Sequence, residues 1–272
     1  MKVNSRPRLP LAFFLFVTSL LMTACSGYQY VASPRYVPLN EKKGDLTANV
    51  HLSAVQLGYA FANRFSVFAT GFRRVPSIEG GNPLPVDGKN HRYGSSREIN
   101  AGFSYFRATE NFVVEVVAGG GYGDMSFGNK YTDDKHQDEG YQFDMTADRR
   151  NLFIQPSIRF KFGNARLNKH FSLGAFTKFN NLRYYHIRGD LRATRFTENY
   201  DDGIEYFAAR SEAELFFIEP GVQVKAGFRN FKAMAQLCPV INASGYSMRY
   251  QHLSVSLGLT MNLNVLRSSP DQ

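Results

Sequence analysis

Apolar and polar side chains alternate two by two through this chain from about residue 46 to residue 264, and no other feature restricts its fold as much. Leu46, Ala48, Val50 and Leu52 alternate with Thr47, Asn49, His51 and Ser53, and Val55, Leu57, Tyr59 and Phe61 with Gln56, Gly58, Ala60 and Ala62. Successive side chains of an extended backbone point to opposite faces, so each run predicts a strand with one greasy and one polar face. The pattern recurs over 98–105, 112–119, 152–162, 171–178 and 216–228, and is cleanest in Leu253, Val255, Leu257, Leu259, Met261 and Leu263. No segment beyond residue 45 carries a convincing helical period. The expected fold class is all-β.

The connections separate a soluble sandwich from a membrane barrel. Short turns at 63–64, 109–111, 163–169 and 229–230 take turns with long polar connections at 76–95, 124–141, 188–210 and 242–249, and a Ser53-Ala54 turn joins the first two strands. Outer-membrane barrels have tight turns at the periplasmic rim and long loops at the outer rim. The expectation is a single closed antiparallel up-and-down transmembrane β-barrel of about ten strands over residues 45–266, with a polar tail at 267–272 and both chain ends on the periplasmic side. Apolar faces of about five residues, at ~3.3 Å per residue and ~45° tilt, span on the order of 25 Å of hydrocarbon. In lipid every backbone polar group needs a partner within the protein, which forces the sheet to close.

The polar face then points inward. Glu98, Glu115, Gln155, Arg159, Lys161, Lys178, Glu219, Gln223 and Lys225 are expected to form a luminal polar network of structural character, and Lys232 shares that face. A dry sandwich core does not hold so many charges. Paired in a narrow lumen, they leave no wide pore. Aromatic pairs are expected at every inner turn (Phe61 and Phe65, Phe106 and Phe112, Phe162 and Phe171, Phe228 and Phe231), with Tyr93, Tyr122, Tyr131, Tyr184, Tyr185, Tyr246 and Tyr250 in an outer girdle. Pro156 and Pro220 each remove a ladder donor, so both mark an expected bulge or bend. Gly119 to Gly123 read as glycines facing a crowded lumen rather than a phosphate loop.

The first 44 residues have another character. Lys2, Arg6 and Arg8 precede an apolar run at 9–21 that is too short to span a bilayer, the layout of a secretory leader. Leu20-Leu21-Met22-Thr23-Ala24-Cys25 resembles the bacterial lipobox, with Met22 where leucine is usual. The resemblance implies a lipoprotein signal peptide at 1–24, cleavage before Cys25, and acylation of that residue with palmitate-type chains; an ordinary leader would leave Cys25 a free thiol. Residues 25–44, polar and carrying Pro34 and Pro38, read as the lipidated cysteine and an extended tether. Ser26 and the lack of an acidic run after Cys25 resemble retention at the inner leaflet.

Composition excludes several function classes. Of the formal net charge of +9, the leader's Lys2, Arg6 and Arg8 hold three, leaving a modest excess that suits lipopolysaccharide and phospholipid head groups. The basic residues are scattered and no recognition motif accompanies them, so nucleic acid is not an expected partner. Of the 2 cysteines, Cys25 is assigned to the lipid and Cys238 stands alone, which excludes an intrachain disulfide and a cysteine zinc site. The 6 histidines are dispersed, and no metal or other cofactor is expected. The acidic stretch from Asp133 to Glu139 reads as a solvated loop tip, with a divalent ion held by lipopolysaccharide as the alternative.

Lys42-Lys43-Gly44-Asp45, Gln56-Leu57-Gly58-Tyr59-Ala60-Phe61, Gly119-Gly120-Gly121-Tyr122-Gly123 and the paired Ile154-Gln155-Pro156 and Ile218-Glu219-Pro220 resemble outer-membrane β-barrel lipoproteins of the Bacteroidota. The resemblance implies a barrel and an outer-membrane location, integral through the strands and lipid-anchored through Cys25; it supplies no catalytic residue. Unlike many barrels, the chain does not end on an aromatic residue. The expected function is non-enzymatic: a structural or interaction protein, or a subunit of an envelope complex, with outer-membrane lipids, lipopolysaccharide and other envelope proteins as partners. Two other readings stay open. One is a small enzyme acting on lipid or peptide at the outer rim, for which His186, Asp190 and Ser95 or Ser96 are the available groups; the other is a narrow pore or carrier.

Overall fold

The computed structural model describes residues 30–33, 35, 40–74, 89–132, 140–164, 169–193, 214–228, 230–245 and 250–264. The leader, Cys25, the acidic stretch at 133–139 and Tyr246 lie outside them. The strands are β1 (Asp45–His51), β2 (Ala54–Tyr59), β3 (Phe65–Arg74), β4 (Lys89–Ala108), β5 (Phe112–Thr132), β6 (Gly140–Asn164), β7 (Lys169–Ala193), β8 (Glu214–Phe228), β9 (Phe231–Pro239), β10 (Ile241–Asn242) and β11 (Leu253–Asn264). From β1 to β8 each strand pairs with the next, β1 pairs with β11 from Asp45↔Asn264 to His51↔Gly258, β11 pairs with β9, and β8 pairs with both β9 and β10. With β9 and β10 as successive parts of one stave, the sheet closes into an antiparallel barrel of ten strands.

The wall is apolar outside and polar inside, the arrangement of an outer-membrane barrel. Ile99, Phe103, Leu152 and Leu259 are 66–72% exposed, while Glu98, Asn100, Gln155 and Thr260 on the other face are buried. Above the apolar band, on the side of the long connections, an exposed charge faces outward on each strand from β3 to β8: Arg73, Arg97, Asp124, Arg150, Arg183 and Glu214. This charged collar marks the outer edge of the hydrocarbon. Beyond it the two faces exchange character. On β5 and β6 Met125, Phe127, Met145 and Ala147 now point inward while Ser126, Thr146 and Asp148 point outward, and with Leu182, Leu215 and Phe217, which lie just below the collar on β7 and β8, they form the largest buried apolar cluster among the described residues.

Several expectations need correction. The connections expected at 76–95, 124–141 and 188–210 are strand over 89–95, 124–132, 140–141 and 188–193: β4 starts at Lys89, β5 runs to Thr132, β6 starts at Gly140 and β7 ends at Ala193. At 25 residues each, β6 and β7 run for about 80 Å along the strand at ~3.3 Å per residue, and the wall continues beyond the collar, on β6 from Arg149 to Gly140. Pro156 and Pro220 cause no bulge. Gln155 and Pro156 miss their pairing to β7, yet Ile154↔Phe179 and Ser157↔Phe176 keep one register; the irregularity lies higher, between Thr146 and Asp148, opposite His186 with its φ of 48°. Of the inner aromatic pairs, Phe61 and Phe65 lie 6.4 Å apart and Phe162 and Phe171 5.9 Å, but Phe106 turns inward and is fully buried against Ala60 and Val113. Tyr105 takes its place outside, 5.4 Å from Phe65. Tyr184 and Tyr250 likewise leave the outer girdle for the interior cluster, while Tyr122 is exposed as expected.

Candidate functional site

The largest departure from expectation is the tether. Tyr30, Val31, Ala32, Ser33, Arg35 and Asn40 are all buried, inside the barrel rather than below it. At the inner rim the chain reverses from this luminal thread into β1. Asp45 Oδ2 accepts the backbone N–H groups of Glu41 and Lys42 at 2.9 and 3.0 Å, and Gly44 adopts a φ of 84° that favours glycine. Just inside, Thr47 donates to Asn40 Oδ1 at 2.9 Å.

Half-way up, Gln236 on β9 treats the thread as a strand. Its Oε1 accepts from the Arg35 backbone N–H at 3.2 Å and its Nε2 donates to the Arg35 carbonyl at 3.0 Å. The Arg35 guanidinium pairs with Glu219 and donates to the Ser33 carbonyl. Glu219 also accepts from the Tyr30 hydroxyl, which in turn accepts from Asn180 at 3.0 Å. Ser33 donates to Glu98 at 3.1 Å, and Glu98 pairs with Arg149 at 2.6 Å. Higher still, the Tyr30 ring stacks on Phe217 at 4.1 Å and its carbonyl accepts from the Gln251 N–H at 3.0 Å.

The expected luminal residues fall into two tiers. In the upper tier Glu98, Lys178 and Glu219 gather around the thread; Lys178 lies directly across the ladder from Glu219, with its Nζ 4.2 Å from the Phe153 ring. In the lower tier Glu115 has Arg159 and Lys225 as charged neighbours. Gln155 is buried, and Gln223 accepts from Gln236 at 3.3 Å. Lys161 stands at the inner mouth instead, donating to the Thr109 carbonyl at 2.6 Å and pairing with Glu41 at 3.1 Å, where Arg159 meets the same carboxylate at 3.1 Å. A cavity of about 850 Å³ opens there, lined among others by Glu41, Arg159, Lys161 and Lys232. Glycine makes room for this interior: a Cβ at Gly119 would stand 2.9 Å from Phe68, and one at Gly121 would collide with Asn100.

Sequence reasoning missed Tyr30, Ser33, Arg35, Arg149 and Gln236. Arg149 carried a usable signal, since it continues the inward parity of Asn151 and Gln155 on β6. The thread carried none, being aperiodic. Among the described residues, the groups considered for an outer-rim enzyme stand apart. His186 is 75% exposed and bonds Asp148 at 2.9 Å. Ser96 is buried in the interior, Ser95 bonds Ser126 at 2.7 Å, and the Asp190 side chain lies outside the described residues.

No family model and no curated protein matches the chain. Among solved structures it is similar to the outer membrane protease OmpT from Escherichia coli, at 10% identity and a TM-score of 0.41, the match covering 80% of this chain and 92% of that one.

Proposed function

We propose that this protein is a non-enzymatic outer-membrane lipoprotein whose barrel is stoppered by its own N-terminal segment, and that it acts as a structural or interaction component of the envelope. The observation that carries this reading is the thread itself: a buried peptide bonded to Glu98, Glu219 and Gln236 occupies the space a pore would need. The leader at 1–24 and acylation of Cys25 belong to the same reading. The tall wall of β4 to β7 offers the outer surface for a partner. In the collar, Arg73 lies directly opposite Arg97 and Arg150 opposite Arg183, all exposed. Arg183 has Glu214 as a counterion at 2.5 Å; like charges facing each other across a ladder are unfavourable without counterions, and lipopolysaccharide phosphates at that level would supply more of them.

Purified protein in planar bilayers is expected to carry no steady current; a stable conductance would refute the stopper and favour the pore reading. Cross-linking in intact envelopes, followed by identification of the neighbours, would name the partner. Metabolic labelling with an alkyne analogue of palmitate, abolished by Cys25→Ala, tests the lipid.

A further inference from the structure

Two sets of contacts fix which way the thread runs. At its lower end Asn40 bonds Thr47 in β1, and the adjoining Glu41 meets Arg159 and Lys161 at the inner mouth. At its upper end Val31 shares a buried cluster with Ala54 and Phe72. Ala54 opens β2 just after the outer hairpin at 52–53, and the Ser53 carbonyl accepts from the Arg73 N–H at 2.9 Å. That hairpin therefore stands level with the first arginine of the collar, at the outer edge of the hydrocarbon. Tyr30, one residue further, pairs with Tyr250 in the outer connection before β11. The thread thus climbs from the inner to the outer rim as residue numbers fall from 40 to 30.

Only five Cα–Cα steps separate Tyr30 from Cys25. Fully extended, they reach at most about 18 Å at ~3.6 Å per residue. The apolar band of an outer-membrane barrel is about 25 Å tall. From collar height, Cys25 cannot return to the inner leaflet even along an empty lumen, and this lumen is filled. We infer that the chain leaves the barrel at its outer mouth and that Cys25 delivers its acyl chains to the outer leaflet, so that the protein is anchored from the cell surface. The sequence beyond Cys25 pointed to the opposite leaflet. The inference rests on the reading of Cys25 as acylated, but the exit route stands without the lipid.

The test is thiol labelling of whole cells with a membrane-impermeant maleimide. The full-length protein carries Cys238→Ala, which removes the buried thiol, and either Tyr28→Cys, two residues before Tyr30, or Asp271→Cys, seven residues after the end of β11. Tyr28→Cys is expected to label as fully in intact cells as after permeabilisation, and Asp271→Cys only after permeabilisation. Absence of Tyr28→Cys labelling in intact cells overturns the outer exit, whether or not permeabilisation restores it; Gly27→Cys repeats the measurement should Tyr28→Cys fail to accumulate. Alkyne-palmitate incorporation is read on the same cells. Without it, the Cys238→Ala parent labels at its unmodified Cys25, which refutes the anchor while leaving the exit route to be judged by where that label appears.

Discussion

Replacing Arg35 by methionine should loosen the thread more than any other single change within it. The Arg35 and Glu219 side chains are 1% and 0% exposed, and their pairing joins a segment that forms no strand to the centre of β8. Breaking a buried pair by removing one partner costs about 3–5 kcal/mol, because the remaining charge stays desolvated without compensation. Glu219 would keep the Tyr30 hydroxyl and the facing Lys178, which places Arg35→Met near the lower end, at about 3 kcal/mol. Glu219→Gln should cost a similar amount, since it strands the guanidinium. The double variant removes both charges and should recover much of the loss, giving a coupling energy of about 2–3 kcal/mol. The chain has no tryptophan, so unfolding is better followed by circular dichroism and by the gel mobility of folded against unfolded barrel, in urea with the protein in lipid vesicles. If Arg35→Met unfolds within about 1 kcal/mol of the parent, the pair behaves like a surface salt bridge and does not fasten the thread.

Three further outcomes follow from the wall. Val116→Lys, in the middle of the apolar band, should destabilise the barrel in bilayers by about 2–4 kcal/mol, and Tyr122→Lys, next to the collar, by about 0–1 kcal/mol; equal effects would show that the band is misplaced. Gly121→Val would drive a side chain into Asn100 and Asn151 and should lose about 1–3 kcal/mol of stability or the folded state itself, whereas Gly71→Ala, with nothing near its Cβ, should fold like the parent. Cys238, buried beside Phe176, should resist thiol reagents in the folded protein, and Arg35→Met should raise its labelling rate about tenfold for each ~1.4 kcal/mol by which the thread is loosened.

Parity was the most legible property of this sequence, and it outranked residue type wherever the two disagreed. Phe106 looks like half of an interfacial pair, but it shares parity with Glu98 and Ser104 and therefore goes inside; Tyr105 shares parity with Phe103 and goes outside. The prolines obey the same logic. A missing N–H deletes a ladder bond without adding a residue, so the strand keeps count with its partner, and Ile154 and Phe160, on either side of Pro156, still meet lipid. An inserted residue would have exchanged the faces of everything beyond it. The thread was illegible for the complementary reason. Tyr30 finds Glu219 at a separation of 189 residues and Arg35 finds Gln236 at 201, and a peptide with walls on every side has no preferred face to impose a period.

The same logic reaches the segments that looked like loops. From Phe112 to Tyr122 the outward positions of β5 are apolar or small and the inward ones include Glu115 and glycine; from Asp124 the outward position is charged and Met125 and Phe127 face inward. Alternation does not stop at the collar. Its phase inverts, because outside the wall the solvent changes from acyl chains to water, and inside it the polar lumen gives way to a greasy cluster around Tyr30 and Phe217. A scan for apolar faces of constant parity reads the inversion as a break and assigns a loop. The place where the two faces trade roles is therefore a sequence-level marker of the membrane surface, and on β6 it falls between Leu152, which is 72% exposed, and the outward Arg150. Arg150 lies directly across from Arg183 in the collar and from Tyr122, next to the collar on β5, so neighbouring strands place the boundary at nearly the same level.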